Sequence, residues 1–241
     1  MTLERLPLMA MSTLGIAFLF SGEIGSQPLI ALDSETDSTS DGLYQVDSRV
    51  MDAAWVRPDL NLAKYTGILI MPTITLFREV FGSYNPRTAS GVRGFRVSET
   101  NKNHLSVSFG EAFHEFTSQL KPYEIVDDAE RNVLLVQGFL IDVVSRIPPV
   151  RSGSNRVLVR RPWEVTLMVE LRDSMSNQLL ARSVEKTRIR GTYDVTELPE
   201  VTQWATKSWS EALLERLRGL VIIGGGRWTN CDLRENNCSF D

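Results

Sequence analysis

The chain has 241 residues, of which 42% are hydrophobic and 23% are charged. That apolar content suits one ordinary globular domain or two small ones, and it excludes disorder over the whole chain. The 26 basic and 30 acidic residues give a net charge of -4, so no global field attracts nucleic acid and we expect no nucleic-acid partner.

The N-terminus predicts export. Leu6–Phe20 is an uncharged apolar run that follows Arg5 and is shorter than the roughly 20 residues that span a bilayer. This is typical of the apolar part of a secretory leader. We therefore predict a signal peptide over residues 1–26 and a periplasmic or secreted protein. An uncleaved signal that anchors the chain is the alternative.

The end of this leader resembles a bacterial lipoprotein signal with one change. Phe20-Ser21-Gly22 matches its first three positions, but Glu23 stands where a cysteine must be acylated. A carboxylate cannot form the required thioether. We therefore expect membrane association only through an uncleaved signal.

Residues 27–46 are acidic and rich in serine and threonine, with few large apolar side chains. Such a segment cannot bury enough surface to offset its ordering entropy. We predict a flexible acidic linker here and a folded domain over 47–223.

The first half of this domain predicts a strand, a long connection, a helix and two further strands. Gly67–Met71 is a short apolar run before Pro72, and residues 77–105 read as an irregular connection. Ser108 begins a capping motif for a helix with Phe109, Ala112, Phe113, Phe116 and Leu120 on one face. Tyr123–Val126 and Val133–Val144 follow as strands.

The second half predicts a hairpin and a helix. Apolar residues alternate along Trp163–Arg172, Asp173–Asn177 forms a turn, and Gln178–Ile189 returns antiparallel. The final helix places these side chains on one side: Val201, Trp204, Ala205, Trp209, Ala212, Leu213 and Leu217. The order predicts an α+β fold, a single two-layer domain with a mixed or mostly antiparallel sheet and helices packed on one face.

Several of these segments carry a family resemblance. Residues 56–65 read V-x-P-x-x-x-L-x-x-Y and lead into the strand that ends at Pro72, and Leu120–Val144, Asp173–Arg182 and Trp204-Ala205 follow. Over roughly residues 47–220 the chain resembles bacterial lipoproteins of the DUF3313 type, a family of unknown function. The resemblance implies an envelope location and supplies no catalytic residues.

Cys231 and Cys238 predict a disulfide in a C-terminal tail, residues 224–241. Two cysteines in an exported chain suit an oxidising compartment. Zinc would need four soft ligands, and the two histidines, His104 and His114, are distant in sequence. We expect no metal and no cofactor.

Catalytic motifs are absent from the sequence. It contains neither Gly-x-Ser-x-Gly nor a phosphate loop with its lysine, and His114 has no second histidine at the spacing that a helical metal site requires. We therefore do not expect an enzyme. The expected function is that of a non-enzymatic binding or structural component, whose partner is an envelope protein or a cell-wall component.

Two arginine-bearing loops are the only candidate ligand site. Bidentate pairing would let them hold a carboxylate or phosphate, although exposed charge is also what loops ordinarily carry. Their members are Arg87, Arg93 and Arg96 in the first loop and Arg151, Arg156, Arg160 and Arg161 in the second. A small-anion binding module is thus the alternative function, and a hydrolase is a third.

Overall fold

A computed structural model describes residues 38–46, 52–80, 94–149 and 157–224, and the backbone of residues 231–232 and 237–238. The predicted signal peptide and most of the predicted linker lie outside these ranges. So do Arg87, Arg93, Arg151 and Arg156. By its contacts, Thr36–Asp241 forms one compact unit.

Twelve strands and two α-helices are present in the described ranges. In chain order they are β1 (Tyr44–Val46), β2 (Ala53–Val56), β3 (Gly67–Ile70), β4 (Ile74–Phe77), α1 (Glu99–Thr117), β5 (Glu124–Ile125), β6 (Val133–Ser145), β7 (Leu158–Arg160), β8 (Trp163–Asp173), β9 (Leu179–Arg188), β10 (Thr192–Asp194), α2 (Leu198–Ile223), β11 (Cys231–Asp232) and β12 (Asn237–Cys238).

The main sheet has eight strands in the order β1-β2-β9-β8-β6-β3-β5, and β4 also pairs with β6. The strands β1, β2, β9, β8 and β6 are each antiparallel to the next in that order. Strands β3 and β4 run parallel to β6. The predicted mixed sheet is confirmed. Strands β3 and β4 follow one another along β6, and Pro72 lies in the gap between them.

Both helices pack on one face of this sheet, as predicted. Alternate residues of β8 point toward them, including Val165, Leu167 and Val169, and all three are buried in the main core with side chains of both helices. The period of two in this strand is what makes one face continuously apolar. The fold is therefore α+β with two layers.

Helix α1 begins earlier than the sequence analysis predicts. Ser98 is its N-cap and accepts a hydrogen bond from the Asn101 backbone N–H at 3.3 Å, whereas Ser108 lies inside the helix. The prediction that the helix begins at Ser108 was wrong, because the first turns of α1 are polar and show no apolar stripe. The predicted irregular connection over 77–105 is also shorter than expected, because Phe77 belongs to β4 and the residues from Glu99 onward belong to α1.

The predicted linker is wrong at its C-terminal end. Leu43 is fully buried and Tyr44–Val46 pairs with β2. Leu43 joins Ala53, Trp55 and Leu179 in a second, smaller core. A single well-placed apolar residue therefore anchors a segment whose average composition is that of a flexible linker.

Helix α2 differs from the prediction at Trp204. That side chain is 59% exposed, whereas Ala205, Trp209 and Leu213 are buried as expected. Adjacent residues on a helix are about 100° apart, so Trp204 and Ala205 cannot both lie at the centre of one face. The buried side also carries Thr202, whose hydroxyl accepts a hydrogen bond from Trp163 Nε1 at 3.0 Å.

Candidate binding surface at one end of the sheet

Four chain segments meet side by side at one end of the main sheet. Phe95 bridges to Ser145, Ser145 pairs with Trp163, and the Ile189 backbone N–H donates to the Trp163 carbonyl at 3.0 Å. Three strand spacings separate the outer two segments. At about 4.8 Å per spacing, this end is about 14 Å wide.

Each of these four segments carries arginine within three residues of that row. We call the set the arginine end: Arg96, Arg146, Arg160, Arg161, Arg188 and Arg190. All are exposed except Arg146, which is half-buried. The pairing of the strands thus gathers residues from four separate parts of the sequence.

Among the described residues, Glu164 is the acidic residue that forms an ion pair with the arginine end. Glu164 lies 3.6 Å from Arg146 and 3.3 Å from Lys186, measured between carboxylate oxygen and side-chain nitrogen. The other five arginines of the arginine end form no ion pair with any residue that the structure describes. A local excess of positive charge therefore stands on a chain whose net charge is negative.

A two-stranded ribbon of β7 and β10 places Arg160 and Arg161. Arg160 pairs with Thr192, and Arg161 has a φ of 55° while its backbone N–H donates to the Gly191 carbonyl at 3.0 Å. This left-handed residue turns the chain from the ribbon into β8. Gly191 has a φ of 115°, and a Cβ there would lie 2.8 Å from the Tyr193 hydroxyl oxygen.

A seventh arginine near this end is already neutralised. Arg78 follows β4, and its Nε donates to Asp142 Oδ1 at 2.5 Å while a second bond joins Nη2 to Oδ2. This hydrogen bonding to Asp142 raises the pKa of Arg78. Asp142 has a φ of 55° at an irregularity in β6, so the pair fastens β4 to β6 where the pairing is interrupted.

The sequence prediction identified part of this surface. Of its seven arginines, Arg96, Arg160 and Arg161 come to the same end of the sheet, and the other four lie outside the described residues. Arg146, Arg188 and Arg190 were not predicted. Each of these lies at, or within two residues of, the end of a long predicted strand, and that position is the pattern that could have found them.

The two cysteines of the tail lie directly opposite each other. The backbone of Cys231 pairs with that of Cys238 in the antiparallel β11–β12 pair. Directly opposite residues of such a pair have Cα atoms about 4.5–5.5 Å apart, which falls within the range that a disulfide spans. The disulfide itself stays a prediction.

The described residues contain no group of three or more histidine, cysteine, aspartate or glutamate side chains that could hold a metal ion. His104 and His114 are both exposed on α1. Neither described helix has the length and apolar character that crossing a membrane requires.

The fold and this surface define an α+β protein with exposed arginines gathered at one end of its main sheet. Residues 35–205 match the family model of proteins of unknown function DUF3313. The chain therefore belongs to the DUF3313 family. No curated protein matches it.

Three solved structures show weak similarity. A protein from Helicobacter pylori described as a homologue of the neuraminyllactose-binding hemagglutinin is 11% identical, with a TM-score of 0.34, over 66% of this chain and 83% of its own. Protein XCC0632 from Xanthomonas campestris is 12% identical, with a TM-score of 0.34, over 70% and 90%. Uncharacterized lipoprotein B from Nitrosomonas europaea is 15% identical, with a TM-score of 0.30, over 67% and 90%. Similarity at this level does not extend to function.

Proposed function

We propose that this protein is a non-enzymatic component of the cell envelope, exported by its leader or held by an uncleaved signal, and that its arginine end binds an anionic envelope component. The observation that carries the proposal is the set of five exposed arginines that have no ion-pair partner among the described residues. Guanidinium groups bind carboxylates and phosphates in bidentate geometry.

The width of the surface favours a macromolecular partner over a small anion. The four segments spread their arginines over about 14 Å, whereas a single carboxylate or phosphate contacts only one or two guanidinium groups at once. An extended array of negative charges can engage several arginines together. Acidic proteins, acidic cell-wall polymers and anionic lipid surfaces are partners of that kind.

A small-anion binding module is the second candidate. The closeness of Arg160 and Arg161 in sequence favours it, because two adjacent guanidinium groups could share one phosphate. A ligand that binds only the native state raises its stability. Phosphate or a dicarboxylate at millimolar concentration would then raise the thermal midpoint, and a macromolecular partner alone predicts no such shift.

The binding proposal is tested with soluble polyglutamate as a model polycarboxylate. We expect binding that weakens steeply between 50 and 500 mM salt, since the charges are exposed and screened. R160Q/R161Q should weaken it, and K121Q/R131Q, which removes two exposed charges from other turns, should not. Binding that is absent, or equal in both double variants, would overturn the proposal.

The location is tested separately. Mass spectrometry of the purified chain gives its mature N-terminus, and fractionation separates soluble from membrane pools. A thiol count without reductant should find none free if Cys231 and Cys238 are paired in an oxidising compartment. An unprocessed, soluble chain with two free thiols would contradict the envelope location.

A further inference from the structure

Two exposed leucines accompany the arginine end. Leu158 on β7 is 59% exposed and Leu76 on β4 is 56% exposed. They are the two leucines among the exposed large apolar side chains of the described residues. A single exposed leucine needs no explanation, but Leu76 lies near this end of the main sheet and Leu158 lies in the ribbon that continues from the same end.

The ribbon aims Leu158 and Arg160 in the same direction. Side chains alternate along a strand, so these two share one face of β7 while Val159, which is buried, occupies the other. Leu158 therefore shares this face with the exposed Arg160, two residues along, and with its cross-strand partner Asp194, whose carboxylate accepts a hydrogen bond from the Thr196 backbone N–H at 3.0 Å.

Leu76 lies on the opposite side of the arginine end from the ribbon. Its neighbour Phe77 pairs with Val143, two residues before Ser145 in β6. Leu76 thus lies within about 10 Å of the end of the sheet. Its side chain is on the face that the helices leave open, because Phe77 packs against the main core.

A soluble polyanion would use the arginines and leave the leucines in water. An anionic bilayer would use both, because basic side chains bind its charged headgroups while apolar side chains enter the boundary between headgroups and acyl chains. Five arginines without an ion-pair partner among the described residues, together with exposed leucines, therefore favour a lipid surface over an acidic polymer.

We propose that the arginine end docks on the surface of an anionic lipid bilayer, with Leu158 entering the headgroup region. This inference rests on the proposed function, since it names the class of partner that the same surface binds. It also differs from the sequence expectation that an uncleaved signal is the only route to a membrane. A folded surface supplies a second, reversible contact.

The test is co-sedimentation of the full chain with vesicles of phosphatidylcholine, with or without about 30% phosphatidylglycerol. Only the part of the lipid-dependent difference that R160Q/R161Q removes is assigned to the arginine end, because Arg5 and the N-terminal amine of the leader also respond to anionic lipid. We expect a partition coefficient at least tenfold higher on the anionic vesicles, and loss of that difference at 500 mM salt.

Variants separate the two parts of the contact. Each arginine near an anionic surface contributes about fivefold in partition, so R160Q/R161Q should lower it more than tenfold and K121Q/R131Q should leave it unchanged. R188Q/R190Q repeats the test should the first pair fail to fold. L158S should lower partition about threefold or more without changing polyglutamate binding.

The outcomes distinguish this inference from the proposed function. Equal partition on both vesicles, or an L158S variant that partitions like the native chain, would overturn lipid docking. If polyglutamate binding then still depends on Arg160 and Arg161, the proposed function stands with an acidic polymer as partner. If neither polyglutamate binding nor the preference for anionic vesicles is seen, both the proposed function and lipid docking are refuted. Circular dichroism and thermal midpoints confirm that each variant is folded.

Discussion

Tyr65 and Asp173 are joined by a hydrogen bond between two distant parts of the chain. The Tyr65 hydroxyl donates to Asp173 Oδ2 at 2.8 Å, and the tyrosine side chain is buried. Asp173 ends β8, and its other oxygen accepts from the Ser176 backbone N–H at 2.9 Å. The bond therefore ties the segment before β3 to the turn between β8 and β9.

Replacing Tyr65 with phenylalanine should destabilise the protein. The variant removes the donor and leaves the ring in place, so we expect the free energy of unfolding to fall by about 1.5–3 kcal/mol, the usual range for a hydrogen bond to a charged group. Urea denaturation measures it. The exposed Tyr44 provides the control, since Y44F should change the free energy by less than about 0.5 kcal/mol. Equal effects would contradict this role for Tyr65.

Asp173 should make the free energy of unfolding depend on pH in the acidic range. The Ser176 backbone N–H is the main cause that lowers the pKa of Asp173, with help from Tyr65, and these bonds outweigh the desolvation that raises it. A depressed folded-state pKa stabilises the protein above the unfolded pKa of about 3.9, and this contribution is lost as the pH falls through the lower folded value.

The measurement compares the native chain with D173N at several pH values. We expect the native chain to be more stable by about 1–3 kcal/mol at pH 6, and this difference should shrink below pH 4. A stability difference that stays constant down to pH 3 would mean that the charge of Asp173 does not contribute to the free energy of unfolding.

A buried carboxylate on the open face of the sheet is held by two arginines. Glu170 is 3% exposed; Arg182 Nε donates to its Oε1 at 2.7 Å and Arg172 Nη2 donates to its Oε2 at 2.8 Å. Arg182 also lies 3.3 Å from Asp41, ahead of β1. This guanidinium therefore neutralises the buried charge and holds the N-terminal segment.

Removing one partner of Glu170 should cost more than removing the pair. R182M leaves a buried carboxylate with a single arginine, and we expect a loss of about 2–4 kcal/mol. E170M/R182M removes that uncompensated charge and should be less destabilising than R182M alone. Chemical denaturation of both variants and of E170M completes the cycle. E99Q, at an exposed ion pair, should cost under about 1 kcal/mol.

Gly138 is required by the ring that packs over it. A Cβ at this position of β6 would lie 2.7 Å from Phe113 Cε2, and Phe113 on α1 is fully buried. G138A should therefore destabilise the protein by about 1–3 kcal/mol through overpacking. G138A/F113L should cost less than the sum of its single changes, as thermal or urea unfolding would show. Additive effects would mean that the ring is not the cause.

The strands β6, β8 and β9 could be predicted because the residue patterns that specify them lie within the strands and the turns that join them. Regular alternation from Trp163 to Leu171 specifies which face is buried, and the turn at Asp173 specifies the antiparallel return. The predicted strand over 133–144 differs from β6 by one residue at one end. Periodicity and turn chemistry were sufficient wherever the pairing partner lies next along the chain.

The remaining elements depend on partners far away in sequence. Strands β1 and β7 are each three residues long, too short to show a period. The arginine end required the register that sets Phe95 beside Ser145 and Ser145 beside Trp163. Arg96 and Arg160 were predicted to lie in two separate loops, and only the pairing of the strands brings these loops to one end of the sheet.

The pairing of β2 with β9 also constrains the order in which the chain can fold. Trp55 lies opposite Arg182 in that pair, so more than a hundred residues separate the two strands. A polypeptide that leaves the ribosome or crosses a membrane N-terminus first presents β2 long before β9 exists. The strands β6, β8 and β9 pair with close sequence neighbours, whereas the second core around Leu43 and Trp55 cannot form until Leu179 and Arg182 have also emerged.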